Sequence, residues 1–232
     1  MYILFRMIAL VIGYAFGLIE TGYILGKLKK IDIRNYGSGN YGATNASRTL
    51  GLGFGLLTFF VDCLKPVFAY LLTSAIFMSV SDADAYKIIC MYAAAGAILG
   101  HIYPFYLNFK GGKGVSSLGG LAIIFVFGPP AHHAAWPTIL IPILILILIV
   151  AVTGFVSLGS ICASLVLVLM NLILGENGRL IFAAGSHYLK EWYIMLVVIV
   201  IIIIAKHAPN IKRLINKNEN KLYFKKKGKD EK

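Results

Sequence analysis

Trp192–Lys206 reads WYIMLVVIVIIIIAK, an almost unbroken run of isoleucine and valine with no charge before its last residue. Lipid offers no partner to an unpaired backbone amide, so such a run crosses a bilayer as a helix, and roughly 20 apolar residues span the hydrocarbon core. A membrane barrel would need apolar and polar residues to alternate along the strand, and no stretch here does so. Working outward, six further apolar stretches are predicted as helices: Tyr2 to Leu25, Leu52 to Met78, Tyr86 to Tyr103, Val115 to Phe127, Pro137 to Val156 and Leu158 to Leu174. The first is not followed by a small-residue cleavage site and is read as a span, not a secretion signal. Val115 to Phe127 is short, so the loop ahead of it is expected to dip toward the headgroups. The chain is therefore predicted to be an all-α polytopic membrane protein of about seven transmembrane helices. Its 59% hydrophobic and 14% charged composition agrees with that class, since a soluble domain has about 25% charged residues.

The net charge of +12 could suggest a nucleic-acid partner, but basic residues gathered on one membrane face explain it better, and no nucleic acid is expected. Gly26 to Leu50 carries Lys27, Lys29, Lys30, Arg34 and Arg48; His101 to Ser117 carries Lys110 and Lys113; the segment from Lys206 is strongly basic. With seven spans these three segments share one face, the cytosolic one. The N-terminus is then outside and the C-terminus cytosolic. Asp82, Asp84 and Glu176 fall on the other side. The predicted organisation is a transmembrane domain over 1–206 and a cytosolic segment over 207–232. The latter holds a further motif and a Lys225-Lys226-Lys227 run suited to an anionic leaflet. Cys63, Cys90 and Cys162 lie in apolar stretches without metal-ligand spacing and are read as small buried side chains. No metal or cofactor is implied.

Three polar segments stand out against this background. Phe109-Lys110-Gly111-Gly112-Lys113-Gly114-Val115 puts glycines and lysines at the mouth of an apolar helix. Glycine backbone can turn tightly and aim successive N–H groups at one point, making an anion-binding hollow. A helix starting at Val115 adds partial positive charge. The segment is not a Walker loop, because Gly114 follows Lys113 where Ser or Thr would be needed. Just ahead, His101 can be either a structural histidine or part of the site. The second segment, Ser38 to Arg48, is dense in small hydrogen-bonding groups, including Asn40 and Asn45. Its Gly37–Gly42 portion formally matches a dinucleotide fingerprint, but no strand precedes it. In the third, His207 and Asn210 are three apart and share one helical face. Asp62 and Lys65 lie deep in a span, also three apart, and are expected to pair with each other. Glu20 is expected to reach headgroup water.

Ser38–Arg48, Gly100–Ser117 and His207–Glu219, taken in order, resemble the three motifs of the bacterial acyl-phosphate-dependent glycerol-3-phosphate acyltransferases, the PlsY family, whose seven-span layout covers the whole chain. Ser116-Ser117 and Lys217-Asn218 depart from the usual residues of that family, while Glu219 keeps its spacing from Asn210. The resemblance implies an enzyme of phospholipid synthesis in the bacterial plasma membrane, its active site toward the cytosol. It would transfer an acyl group from acyl phosphate to the 1-hydroxyl of glycerol 3-phosphate, yielding lysophosphatidic acid and phosphate. Gly111, Gly112, Lys113 and Gly114 would hold the acyl-phosphate headgroup, and His101 is counted among the substrate-binding residues. Ser38, Arg48, His207 and Asn210 would hold glycerol phosphate, and Asn40 and Asn45 would shape the first loop. Ser38, Asn45, Arg48, Lys113, His207 and Asn210 form the expected catalytic set. The acyl chain would lie among the apolar spans. The His-x4-Asp dyad of the other large glycerol-phosphate acyltransferase class is absent from the sequence. The residues alone make His207 the obvious base; the resemblance implies that the substrate's own phosphate takes the proton. An anion transporter would instead show internal repeats and polar groups at mid-membrane, and a lipid-binding scaffold would leave the three motifs unexplained.

Overall fold

The structure, a computed structural model, describes residues 2–127 and 133–222; His132 and the Lys225-Lys226-Lys227 run lie outside them. Among the described residues the regular structure is entirely helical. The α-helices are α1 (Ile3–Gly17), α2 (Thr21–Leu28), α3 (Ala43–Leu50), α4 (Leu52–Ile76), α5 (Ala83–Ile102), α6 (Val115–Phe127), α7 (Pro137–Thr153), α8 (Val156–Glu176), α9 (His187–Lys206) and α10 (Ala208–Ile215).

Among the described residues five segments are long and apolar enough to cross a bilayer: Ile3–Leu28, Leu52–Ile76, Ala83–Leu107, Val156–Glu176 and His187–Lys206. α6 and α7 are apolar but shorter, at 13 and 17 residues. At 1.5 Å per residue α6 reaches about 20 Å against a hydrocarbon core of about 30 Å. The seven expected spans are thus five full-length segments and two short ones. Phe60 of α4, Leu144 of α7 and Ile201 of α9 are all more than half exposed, an outward apolar surface that suits lipid and not water.

α5 runs through the centre, with Ala93, Ala94, Ala97 and Ile98 fully buried. Its tightest neighbour is α1. A Cβ at Gly13 or Gly17 of α1 would collide with the carbonyl oxygens of Ala93 and Ala97; one at Gly96 or Gly100 of α5 would collide with those of Leu10 and Tyr14. Small residues four apart on both helices let the backbones touch, which is how helices associate where lipid removes the hydrophobic drive. This pattern is present in the sequence and was not among the features singled out above.

The first span is not continuous. It breaks at Leu18–Glu20 before α2 restarts at Thr21. The break turns Glu20 inward: it is fully buried, not in headgroup water as expected, and its Oε1 lies 2.9 Å from His101 Nδ1. α2 ends in a Schellman turn, with Lys30 at φ +56 and Ile31 N–H donating to Gly26 O at 2.9 Å. The polar segment Ser38–Arg48 runs into α3, a separate helix divided from α4 by Gly51 at φ +104. Asp62 and Lys65 pair as expected, at 2.7 Å. Pro66 has no N–H to donate to the Asp62 carbonyl. α7 and α8 form a hairpin around Gly154 at φ +78. At one end of the bundle Arg6 of α1 donates to both oxygens of Glu191 of α9, at 2.7 and 2.9 Å, and Tyr92 of α5 donates to Glu191 Oε1 at 2.9 Å.

Candidate active site

The opposite end of the bundle carries a cavity of about 170 Å³ that draws on all three polar segments: Ser38, Asn40 and Arg48 from the first, His101 and Lys113 from the second, His207 and Asn210 from the third.

The first segment is held in shape by one side chain. Asn45 is fully buried. Its Oδ1 accepts from Ser38 N at 2.8 Å, and its Nδ2 donates to Ile33 O at 2.8 Å and Asn40 O at 2.9 Å. Asn45 therefore spends its amide on the loop and does not line the cavity, although it belongs to the expected catalytic set. Gly37, at φ +59, passes so close to Asn45 Oδ1 that a Cβ would strike it. Asn40 Oδ1 accepts from Gly42 N at 3.0 Å. These bonds present Ser38, and the start of α3 at Ala43 and Thr44, to the cavity. Arg48, one turn further along α3, donates to Asn220 O at 3.4 Å.

In the second segment the glycines divide their work. Gly111 N–H donates to Ile102 O at 3.3 Å and Gly112 N–H to His101 O at 3.0 Å. Their amides are therefore used to lash the turn to the end of α5. Both residues, expected in the substrate-holding set, stand one layer behind the cavity wall. A Cβ on Gly111 would overlap the His101 carbonyl, and one on Gly112 would overlap the His101 ring. The wall itself is made by Lys113, Gly114, Val115 and Ser116. Gly114 has φ +89, and Leu118 N–H returns to its carbonyl at 2.8 Å to begin α6. The first N–H groups of a helix have no partner within it, so this start offers donors to an anion. Burial pulls the Lys113 amine down to about 8; Glu219 opposes the fall, while Arg213 and Arg48 add to it. A bound anion would act in the opposite sense.

The third segment places His207 between α9 and α10. Its Nδ1 sits 2.8 Å from Ile203 O. A carbonyl only accepts, so Nδ1 carries the proton and the neutral ring has an unprotonated Nε2. Burial takes His207 down to about 4, helped by the Lys113 charge and resisted by the Ile203 hydrogen bond and Glu219. The ring is therefore neutral at pH 7. Asn210 donates to Glu219 Oε1 at 2.7 Å, Ser157 of α8 donates to the same oxygen at 3.0 Å, and Arg213 donates to Oε2 at 2.8 Å. Burial alone would raise the Glu219 carboxyl, but these hydrogen bonds outweigh it and hold the group below its ordinary value. Glu219 thus ties α8 to α10 at the cavity wall.

Ser157 and Ser160 also face the cavity. They lie three apart at the start of α8, a spacing visible in the sequence but not distinguished there from ordinary helix packing. Below the polar cavity an apolar one of about 260 Å³ opens between α4, α6, α7 and α8, lined by residues such as Cys63, Leu118 and Leu167. Phe59, Val115 and Leu146 belong to both walls, so the two spaces adjoin.

A helical membrane bundle with a cationic, glycine-edged cavity above an apolar one defines an integral membrane protein with room for a ligand both charged and apolar. A family model described as glycerol-3-phosphate acyltransferase matches residues 7–217. A glycerol-3-phosphate acyltransferase of Endomicrobium trichonymphae is 38% identical over 226 residues, covering 97% of this chain and 100% of that one. Another, from Shouchella clausii, is 36% identical over 211 residues, covering 90% and 92%. The crystal structure of PlsY, an integral membrane glycerol 3-phosphate acyltransferase, superposes in its glycerol 3-phosphate form with a TM-score of 0.73 at 32% identity, over 94% of this chain and 96% of that one. Its lysophosphatidic acid form gives 0.72 at 31% identity, over 94% and 95%. The chain belongs to the PlsY family of glycerol-3-phosphate acyltransferases. It is accordingly an integral membrane acyltransferase.

Proposed function

We propose that the chain transfers an acyl group from acyl phosphate to the 1-hydroxyl of glycerol 3-phosphate, giving lysophosphatidic acid and inorganic phosphate. The observation that carries this reading is the shared wall of Phe59, Val115 and Leu146, which lets one ligand keep its charge in the cationic cavity and its chain in the apolar one. Each buried CH₂ adds about 0.8 kcal/mol to holding the chain. Lys113, Gly114 and the first amides of α6 bind the donor's phosphate. Ser38, Arg48, His207 and Asn210 bind the glycerol phosphate.

In the reaction the 1-hydroxyl oxygen attacks the acyl carbon, the carbonyl-to-phosphate C–O bond breaks, and phosphate leaves with that electron pair. His207, neutral and with Nε2 free, accepts a hydrogen bond from the glycerol phosphate. With its conjugate acid near 4 it is a poor base. A phosphate monoester, whose second pKa is about 6, is the better proton acceptor. The hydroxyl proton therefore goes to phosphate, and the protein's part is positioning and charge neutralisation. The basic residues on the cavity side orient that end toward the cytosol of a bacterial plasma membrane.

The test is to incubate the purified protein with acyl phosphate and radiolabelled glycerol 3-phosphate. Labelled lysophosphatidic acid is the expected product. Uptake of glycerol phosphate into vesicles without conversion would replace the reading with a transporter, and no reaction of either kind would leave a scaffold.

A further inference from the structure

Behind the glycine turn lies a cluster of charges that the transfer reaction does not use. Glu20 at the α1–α2 break, Asp62 and Lys65 of α4 and His101 of α5 are all buried, none with more than 3% of its side chain exposed. Lys65 Nζ is 2.7 Å from Asp62 Oδ1. His101 Nδ1 is 2.9 Å from Glu20 Oε1 and 3.8 Å from Asp62 Oδ1. Thr21 donates to Asp62 Oδ1 at 3.3 Å, and Lys65 Nζ lies 3.4 Å from His101 Nδ1. Glu20 Oε2 is buried without a hydrogen-bond partner among the described residues.

Two carboxylates against one ammonium leave a negative charge buried in the protein, directly behind the cationic cavity. An uncompensated buried charge is among the most expensive things a fold can hold. His101 as the imidazolium cancels it, with Nδ1–H directed at Glu20. The other ring nitrogen, Nε2, lies against Gly112, where only a glycine leaves room for it, and the His101 side forms part of the cavity wall.

We propose that Glu20 is a positioning residue that holds His101 as an imidazolium, so that its Nε2–H serves the cavity as a fixed donor to the phosphate of the acyl donor. This rests on the acyltransferase reading above. Glu20 touches no substrate; it acts through His101, as a carboxylate behind a metal-bound histidine fixes tautomer and orientation. Asp62 and Lys65 close the remaining charge as a pair.

The experiment has two parts. Selective ¹⁵N labelling of histidine in the wild-type protein, with His101 assigned by its absence in His101→Gln, reads the ring state directly at pH 7.5. Doubly protonated nitrogens are expected, and a neutral ring would overturn the proposal. Kinetics of Glu20→Gln then give the consequence. The KM for acyl phosphate and the inhibition constant of inorganic phosphate should rise about tenfold, with kcat and the KM for glycerol 3-phosphate within twofold. Glu20→Asp should recover most of the loss, and Glu20→Gln should add nothing in a His101→Gln background. Losses that multiply in the double variant, or a uniform fall in kcat tracking a lower Tm, would make Glu20 merely structural. If the wild type produced no labelled lipid, the acyltransferase reading would fail instead, and the ¹⁵N result would still decide the charge state of His101.

Discussion

The two ends of the bundle each centre on a glutamate held by several donors, and they do different things. At one end Glu191 joins α9 to α1 and α5 through Arg6 and Tyr92. At the other, Glu219 joins α10 to α8 through Asn210, Arg213 and Ser157. The bonding chemistry is nearly the same. What differs is the neighbourhood. Glu219 shares a cavity wall with Lys113, Arg48 and His207, so its charge enters the electrostatics of those groups, as their shifts record. Glu191 also lines a recess, but beside its own partners Arg6 and Tyr92 that recess is walled by Ile3, Met7 and Leu10 and holds no second cation. A partly buried ionic knot beside a cavity is thus not evidence of a site until further cations share the wall.

That contrast can be broken or sharpened in order of expected effect. Lys113→Ala should cut transfer by about 1,000-fold or more, since in the proposed reading it removes a cation that binds the donor's phosphate, while Tm changes little. Phosphate release from acyl phosphate and glycerol phosphate at the wild-type rate would refute that role. Glu219→Gln loses two or three charge-assisted bonds and should cost about 10- to 100-fold in kcat/KM together with stability. The carboxyl of Glu219 sits below its ordinary 4.5, so its stabilising contribution is complete above that value and disappears as pH falls through the lowered folded value. The Tm difference between wild type and Glu219→Gln should accordingly be full near pH 7 and shrink below about pH 4.5; a difference that grows with acidity contradicts the hydrogen-bond pattern.

His207→Gln should raise the KM for glycerol 3-phosphate about tenfold, the scale of one neutral hydrogen bond. Because His207 is pulled to about 4, no inflection between pH 5 and 8 should belong to it. An inflection in that range that vanishes in the variant would restore His207 as the base. The smallest effect on catalysis belongs to Glu191→Gln. It should lower stability by about 1–2 kcal/mol, as expected for a partly buried charged pair, with kcat/KM within twofold of wild type. A large catalytic loss there would erase the distinction between the two ends.

Much of the site is legible in the chain because polar residues are conspicuous against an apolar background. Ser38, Arg48, Lys113, His207 and Asn210 all stand in short segments at helix ends, and the fold brings them to one cavity. Ser157 and Ser160 escape notice because a serine in an apolar helix reads equally well as a helix-packing residue. Gly111 and Gly112 show a second kind of ambiguity. Missing a Cβ, glycine permits both an anion nest and close packing, and only the His101 ring beneath Gly112 decides between them. Glu20 shows a third. A kink without proline leaves little local signal, so the span reads as continuous and its carboxylate as exposed.

Composition and periodicity alone determined the class: a helical membrane protein, apolar in runs of bilayer length, with its chemistry at helix ends. Those properties are local, set by hydrogen bonding and solvation over one or two turns. Tertiary structure alone decided which polar groups face the cavity and which serve other residues. Glu20 meets His101, and Glu219 meets Ser157, only after helices distant in sequence have packed. Spacing within one helix reports a pair such as Asp62 and Lys65, but partnership between helices depends on distance in space, which that spacing cannot report.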